Sequence, residues 1–381
     1  MQHYDPKSGA ASPRFEYDDG PYSARGHRDS GIRPAQTTMP WWNPRYWRKR
    51  VWIALSIVVL IVIIIAVAVG VTQAKNNAYP DYSQLKYSLS ETFEGESFFD
   101  NFDYFTGYDP TSGFVHYVPR EQAQQLNLTY ASSGRAVLRV DTSVGPGDEP
   151  DASTGRFSVR VTSRSTYNNG LFIFDVKHSP YGCGTWPALW LTDPYSWPNH
   201  GEIDIMEAVN KADDGNKMTL HTTKGCSMGV RRKQTGDVDQ KNCDHSKNSN
   251  AGCGVLGDKE SYGEALNDNG GGVMAVEWRD AGIRMWQFAR SAIPSDITGK
   301  KPNPSSWGTA TADFPNTDCD IGKHFRNNSI VANINLCGEL GEALYADSGC
   351  PSKCTDYVAK NPKAFANAFW EFGAFEVYQA A

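Results

Sequence analysis

His200-Gly201-Glu202-Ile203-Asp204-Ile205-Met206-Glu207 places three carboxylates within six residues, separated by Ile, Ile and Met. The alternation predicts a β-strand, in which side chains two apart share a face. Glu202 and Asp204 then point the same way. Glu207 is five residues from Glu202, an odd number, and on a regular strand it faces the other side. One β-bulge within Ile205-Met206 adds the residue that brings it back. Three carboxyls then form a row on one face, with Ile203 on the other.

Neighbouring like charges raise one another's pKa, so the row is costly unless it is used or paired. At neutral pH it is expected to hold at least one shared proton. One ionised and one protonated carboxyl are what a glycosidase needs. From spacing alone, an acidic surface strand or a calcium site fits equally, and the rest of the chain has to decide.

Residues 51–71, VWIALSIVVLIVIIIAVAVGV, form an uncharged and almost wholly apolar run of 21, against the roughly 20 needed to cross a bilayer as a helix. The run starts too far into the chain, and is too long, for a cleaved signal peptide. Arg45, Arg48, Lys49 and Arg50 precede it and only Lys75 follows closely. The positive-inside rule therefore puts 1–50 in the cytoplasm and 72–381 outside, in a single-pass, signal-anchored arrangement at the plasma membrane or a secretory-pathway membrane. Trp41, Trp42, Trp47 and Trp52 are expected at the cytoplasmic interface. Residues 1–50 lack apolar periodicity and read as a disordered tail; 72–88 read as a short polar stem.

All eight cysteines follow the apolar run (Cys183, Cys226, Cys243, Cys253, Cys319, Cys337, Cys350, Cys354). An even count on the exported side predicts disulfides, with the pairing left open. Zinc at Cys350 and Cys354 is the rival, although no partner pair of matching spacing exists. The sequons at Asn127 and Asn327 fall on the same side and are candidate glycosylation sites. The part after the run is acidic, with a net charge of about −10. An acidic, tryptophan-bearing exported domain argues against nucleic acid and suits a neutral polymer.

From about residue 88 the chain alternates short apolar runs with loops rich in Gly, Asn, Asp and Pro. Strands are predicted at 157–161, 171–176, 218–222, 273–278, 283–288, 330–336 and 372–378, the second of them buried on both faces. The best helix candidates are 355–360 and 362–368, just before the last strand. Many short strands with turn-rich links predict an all-β antiparallel sandwich.

The stretch Cys183-Gly184-Thr185-Trp186-Pro187-Ala188-Leu189-Trp190, continuing through Trp197 to Glu202, Asp204 and Glu207, closely resembles glycoside hydrolase family 16. Within it, the fungal endo-β-1,3(4)-glucanase (laminarinase-like) branch is the nearer likeness. The resemblance extends over 101–115, Leu220-His221-Thr222, Gly225-Cys226, Ala275-Val276-Glu277-Trp278, Ile293-Pro294 with Asp296-Ile297, Asn335-Leu336-Cys337-Gly338 and 356–371. It covers about 89–379. It implies a concanavalin-like β-jelly-roll behind the single N-terminal transmembrane helix, with the carboxylates lining an open cleft for a long glycan. Glu202 would be the nucleophile and Glu207 the acid and then the base, with Asp204 between them tuning protonation. No cofactor is implied, although a structural calcium is compatible.

Sugar rings expose axial C–H groups that pack on aromatic faces. Trp190 and Trp197 are the first candidates for such platforms. Trp186 is another, Trp278 stands between cleft and core, and Trp286 is assigned to the core. His221 is a candidate hydrogen-bond partner of substrate or of Glu202. One departure stands out: where the branch usually carries Asp-Trp-Ala-Gly, this chain has Glu339-Leu340-Gly341-Glu342, so one aromatic platform is expected to be missing. The expected reaction is retaining hydrolysis of β-1,3 or mixed β-1,3/1,4 glucan. Glucan transglycosylation by the same carboxylates is the alternative, and a glucan-binding lectin the more distant one.

Overall fold

The computed structural model describes residues 42–46, 48–145, 148 and 154–381. Most of the expected cytoplasmic tail, with Trp41 and Trp47, lies outside the described residues. A single helix, Lys49–Asn77, contains the apolar run. At 1.5 Å per residue it is long enough to cross a bilayer with turns to spare.

The remainder is built on one two-stranded sheet and two eight-stranded sheets. One is ordered Ala312–Pro315, Gly282–Ala289, Gly272–Arg279, Gly170–His178, Phe369–Ala380, Arg135–Arg139, Thr129–Ser132, with Tyr87–Phe93 also pairing to Phe369–Ala380. The other, the cleft sheet, is ordered Asp237–Val238, Cys253–Leu256, Lys217–His221, Glu202–Glu207, Thr185–Thr192, Ser329–Leu336, Arg160–Ser163, Phe102–Tyr104. Every pairing in both is antiparallel. This is the expected all-β jelly-roll sandwich.

Alternation along the strands builds the core. Leu189, Leu191, Ile203, Met218, Leu220, Ile330 and Ile334 from the cleft sheet join Phe172, Phe174, Val276, Trp278, Phe372 and Phe375 from its partner in one buried cluster. The strand Gly170–His178 is buried on both faces, as its unbroken apolar run predicts. Its outward Leu171 and Ile173 lie in a second cluster with Trp286, Ile297 and Ala310. Trp278 and Trp286 are both buried, so Trp278 resolves to the core.

Three local expectations need correction. The run at 157–161 is two strands: Arg156–Ser158 pairs in parallel with Val115–Tyr117, and Arg160–Ser163 joins the cleft sheet. Alternation persists across a change of partner, so the sequence hides the break at Val159. The helix expected at 362–368 is only the short turn Pro362–Phe365, because the last strand starts at Phe369. The stretch read as a stem is partly docked. Tyr79 donates to Asp313 at 3.0 Å and Tyr87 to Glu277 at 2.9 Å, while Arg284 lies 4.1 Å from the Tyr82 ring centroid.

All eight cysteines are paired: Cys183–Cys350, Cys226–Cys319, Cys243–Cys253 and Cys337–Cys354. Cys350 and Cys354 thus bond to different partners, which overturns the zinc alternative. Cys183–Cys350 fastens the segment 337–354 to the start of the strand that carries Trp186, and Cys337–Cys354 closes that segment on the end of Ser329–Leu336.

Candidate active site

The bulge is where parity requires it. Asp204 pairs with Trp190, yet Met206 pairs with Leu189 and Glu207 with Ala188, a slip of one residue. On the other side Asp204 pairs with Thr219 and Glu207 with Lys217. Ile203, Ile205 and Met206 are all fully buried, so two consecutive residues sit on the core side. Glu207 is thereby returned to the face of Glu202 and Asp204.

An extra residue leaves backbone groups without ladder partners. Asn216, itself fully buried, supplies them. Its Oδ1 accepts from the Glu207 N–H at 3.0 Å, and its Nδ2 donates to the Ile205 carbonyl at 2.9 Å. Asn216 is in turn held by its own N–H on Ser261 Oγ at 2.7 Å. One amide therefore spans the irregularity that aims Glu207.

The carboxyls have distinct surroundings. Trp186 donates its indole N–H to Glu207 Oε1 at 2.8 Å. Asp204 is 3 % exposed, and its Oδ2 makes no hydrogen bond within the protein. His221 Nε2 lies 3.3 Å from that oxygen and 3.9 Å from Glu202 Oε1. The other ring nitrogen, Nδ1, is 3.0 Å from Asn250 Oδ1. Burial, then the Asp204 charge, push the Glu202 carboxyl up to about 8, against the pull of His221. Asp204 is held well above the ordinary aspartate range by burial first and by Glu207 second, with Lys217 opposing. The ligand-free row therefore carries fewer than three charges at neutral pH.

This has a consequence for stability. Both carboxyls bind protons more tightly folded than unfolded. Their contribution is complete below the unfolded values and is lost as pH rises through the folded ones. The melting temperature of the ligand-free protein is expected to fall as pH goes from about 4.5 to about 8. The Glu202→Gln variant is expected to show a visibly flatter profile in thermal melts over that range. An equally steep profile in the variant would refute the assignment.

The sequence-predicted aromatics separate. Trp197, joined to Pro198 by a cis peptide, is 40 % exposed, with its ring 5.2 Å from that of His245. Trp190 is half-buried. Its N–H donates to Asn333 Oδ1 at 2.8 Å, and the Arg160 guanidinium lies 5.0 Å from its ring and 5.0 Å from Phe105. Trp186 has its polar edge committed to Glu207 and its ring against Gly338. Where the branch aromatic is absent, Leu340 sits half-buried in the short helix Gly338–Ala343. The sequence reading missed Asn216, Asn250, Asn333 and Arg160, and also Tyr195, almost fully exposed in the loop that carries Trp197. Tyr195 lies inside the stretch of resemblance and could have been singled out there. The asparagines carry no signal in sequence.

Of the glycosylation candidates, Asn127 and Asn327 are both exposed. Asn327 already donates through Nδ2 to Asp193 Oδ2 at 2.9 Å, an oxygen shared with His200 at 2.7 Å.

The XgeA-like catalytic GH16 domain, as a sequence family, matches residues 102–378. A probable glycosidase of Schizosaccharomyces pombe is 44% identical over 311 residues, which are 80% of this chain and 72% of that protein. The chain spans only about half the length of several curated fungal endo-1,3(4)-β-glucanases that it also matches, 48% in one case. Among solved structures, laminarinase 16A from Phanerochaete chrysosporium, with β-glucans in donor and acceptor sites, superposes with a TM-score of 0.74 at 43% identity. The match covers 77% of this chain and all of that one. An elongating family 16 β-1,3-glucosyltransferase gives 0.71 at 38% identity, over 77% of this chain and all of that one.

Proposed function

The chain belongs to glycoside hydrolase family 16, and from that premise we propose that it is a retaining endo-β-glucanase acting on β-1,3 or mixed β-1,3/1,4 glucan. The observation that carries the reading is the bulged strand, which returns Glu207 to the face of Glu202 and Asp204. Retention requires two carboxyls roughly 5–5.5 Å apart, one to attack and one to protonate. Long side chains on one face, bridged by Asp204, suit that separation.

In this mechanism the row, which shares its protons, reacts in the microstate with Glu202 ionised and Glu207 protonated: Glu202 attacks the anomeric carbon while Glu207 gives its proton to the leaving glycosidic oxygen. A covalent glycosyl–enzyme forms and the leaving sugar departs. Glu207, now a carboxylate, takes a proton from water as that water attacks, and Glu202 is released. Asp204 holds a proton toward Glu202 and so stabilises the charged, attacking form. The Trp186 N–H fixes one Glu207 oxygen and leaves the other to carry the proton. His221 orients Asp204 and lies close enough to Glu202 to reach a sugar hydroxyl bound there.

Trp197 is the proposed sugar platform, since its ring is the most exposed of the candidate tryptophans. Trp190 is more restrained and lines the cleft beside Arg160. Trp197→Ala is expected to weaken laminarin binding by about 1–3 kcal/mol. Calorimetry in a Glu207→Gln background, where substrate persists, measures it. Unchanged affinity would remove Trp197 from the cleft.

The deciding experiment is incubation of the purified protein with laminarin, lichenan and barley glucan, followed by product sizing. Short products with retained anomeric configuration are expected, and no turnover of any of the three would end the reading. Transglycosylation is the second reading, favoured by the likeness to the elongating glucosyltransferase. Products longer than the donor would select it.

The apolar helix and the basic residues before it support a single-pass anchor with the catalytic domain facing outward. The disulfides agree with an oxidising compartment. Asn127 and Asn327 are the proposed glycan sites there.

A further inference from the structure

We propose that Glu202, Asp204 and His221 also form a binding site for a divalent transition ion, zinc in the first instance, whose occupancy switches the cleft off. The inhibitory half of this rests on Glu202 being the nucleophile; the binding half does not.

The argument starts from the ring of His221. Asn250 Oδ1 lies 3.0 Å from Nδ1. An amide oxygen only accepts, so Nδ1 carries the hydrogen and, in the neutral ring, Nε2 presents a lone pair. That lone pair faces two carboxylates, at 3.3 Å from Asp204 Oδ2 and 3.9 Å from Glu202 Oε1. Asp204 Oδ2 is buried and has no hydrogen-bond partner. Three electron-pair donors converge on one point within 4.8 Å of one another. Such a point favours a positive charge, either a proton or a metal ion.

The dimensions suit zinc. Bonds of about 2.0–2.1 Å in a tetrahedron give ligand–ligand edges of about 3.3 Å. The Asp204–His221 edge already has that length, and the Glu202–His221 edge has to close by about half an ångström. One imidazole and two carboxylates, with the fourth position open to the cleft, is an ordinary donor set for zinc. Calcium, which takes six to eight oxygens, is poorly matched. A ligating histidine normally donates its other N–H to a fixed acceptor, the part Asn250 plays here. The ring is also held from the side. A Cβ on Gly252 would lie 2.8 Å from His221 Cε1, so the loop packs directly against it. A metal bound there occupies the Glu202 lone pair that would attack the sugar. Inhibition is therefore competitive with glucan and reversed by chelation.

The test uses the full chain, purified in detergent and stripped with EDTA. Zinc chloride is titrated by calorimetry. One site of micromolar affinity is expected, weakened at least tenfold in His221→Ala and in His221→Gln, and retained in Glu207→Gln. Two His221 variants are used, each checked by thermal melting, so that a misfolded one does not decide the result. No binding, or binding indifferent to both His221 changes, overturns the proposal. Laminarin turnover is followed in parallel. Turnover without zinc binding or inhibition sinks this inference alone. Zinc binding lost with His221 in a protein that hydrolyses no glucan sinks the glucanase reading alone and confirms the site.

Discussion

Glu207→Gln and Glu202→Gln are each expected to lower kcat on laminarin by about a thousandfold or more, the scale of losing an essential catalytic group. The two variants should fail differently. In Glu207→Gln the amide oxygen can still accept from the Trp186 N–H at the 2.8 Å position, so the side chain stays in place and only the transferable proton is lost. An aryl glucoside whose leaving group needs no protonation should then still form the glycosyl–enzyme. That intermediate should accumulate and be visible by intact mass. In Glu202→Gln no intermediate can form with any leaving group. Near-normal laminarin turnover in either variant, with an unchanged melting curve, would refute the assignment.

Asn216→Leu is expected to cost about 2–4 kcal/mol of stability. Two buried backbone groups, the Glu207 N–H and the Ile205 carbonyl, lose their partners at about 1–3 kcal/mol each, and the apolar replacement recovers part. The larger effect is on turnover. With the bulge no longer braced, Glu207 is displaced from its productive position, and displacements of about 1 Å can cost on the order of a hundredfold. A fall in kcat with little change in KM is expected, because the sugar platforms are untouched. Denaturant melts and steady-state kinetics on one preparation separate the two effects. A destabilised variant with full kcat would make Asn216 a purely structural residue.

What the sequence revealed follows physical range. The odd spacing between Glu202 and Glu207 is a local property of one strand, and it requires the bulge without knowledge of any neighbour. The apolar run and the strand alternation are equally local. Tertiary partners were not legible. Cys350 and Cys354 lie four apart in sequence yet bond to Cys183 and Cys337. Trp190 and Trp278 each sit in an apolar stretch, but Trp278 is in the core and Trp190 only half-buried. A tryptophan serves either place, and only the fold decides. Asn216 and Asn250 matter through single hydrogen bonds to residues that are adjacent only once the sheet has formed. The docked tyrosines of the 72–88 stretch were hidden for the same reason, because their partners Glu277 and Asp313 are some two hundred residues away.

The inserted residue at Ile205-Met206 also bears on how such a chain could change over generations. Loss of one codon there would leave every strand able to pair and most of the interior filled. It would bring the last acid to an even four residues from the first, so a regular strand without the bulge would still present all three acids on one face. The descendant would keep the row of acids and would no longer need the Asn216 amide to satisfy the extra backbone groups. Spacings of four and of five are thus two solutions to one placement, straight and bulged, and natural variants of this strand can be sorted by counting residues between its first and last acid.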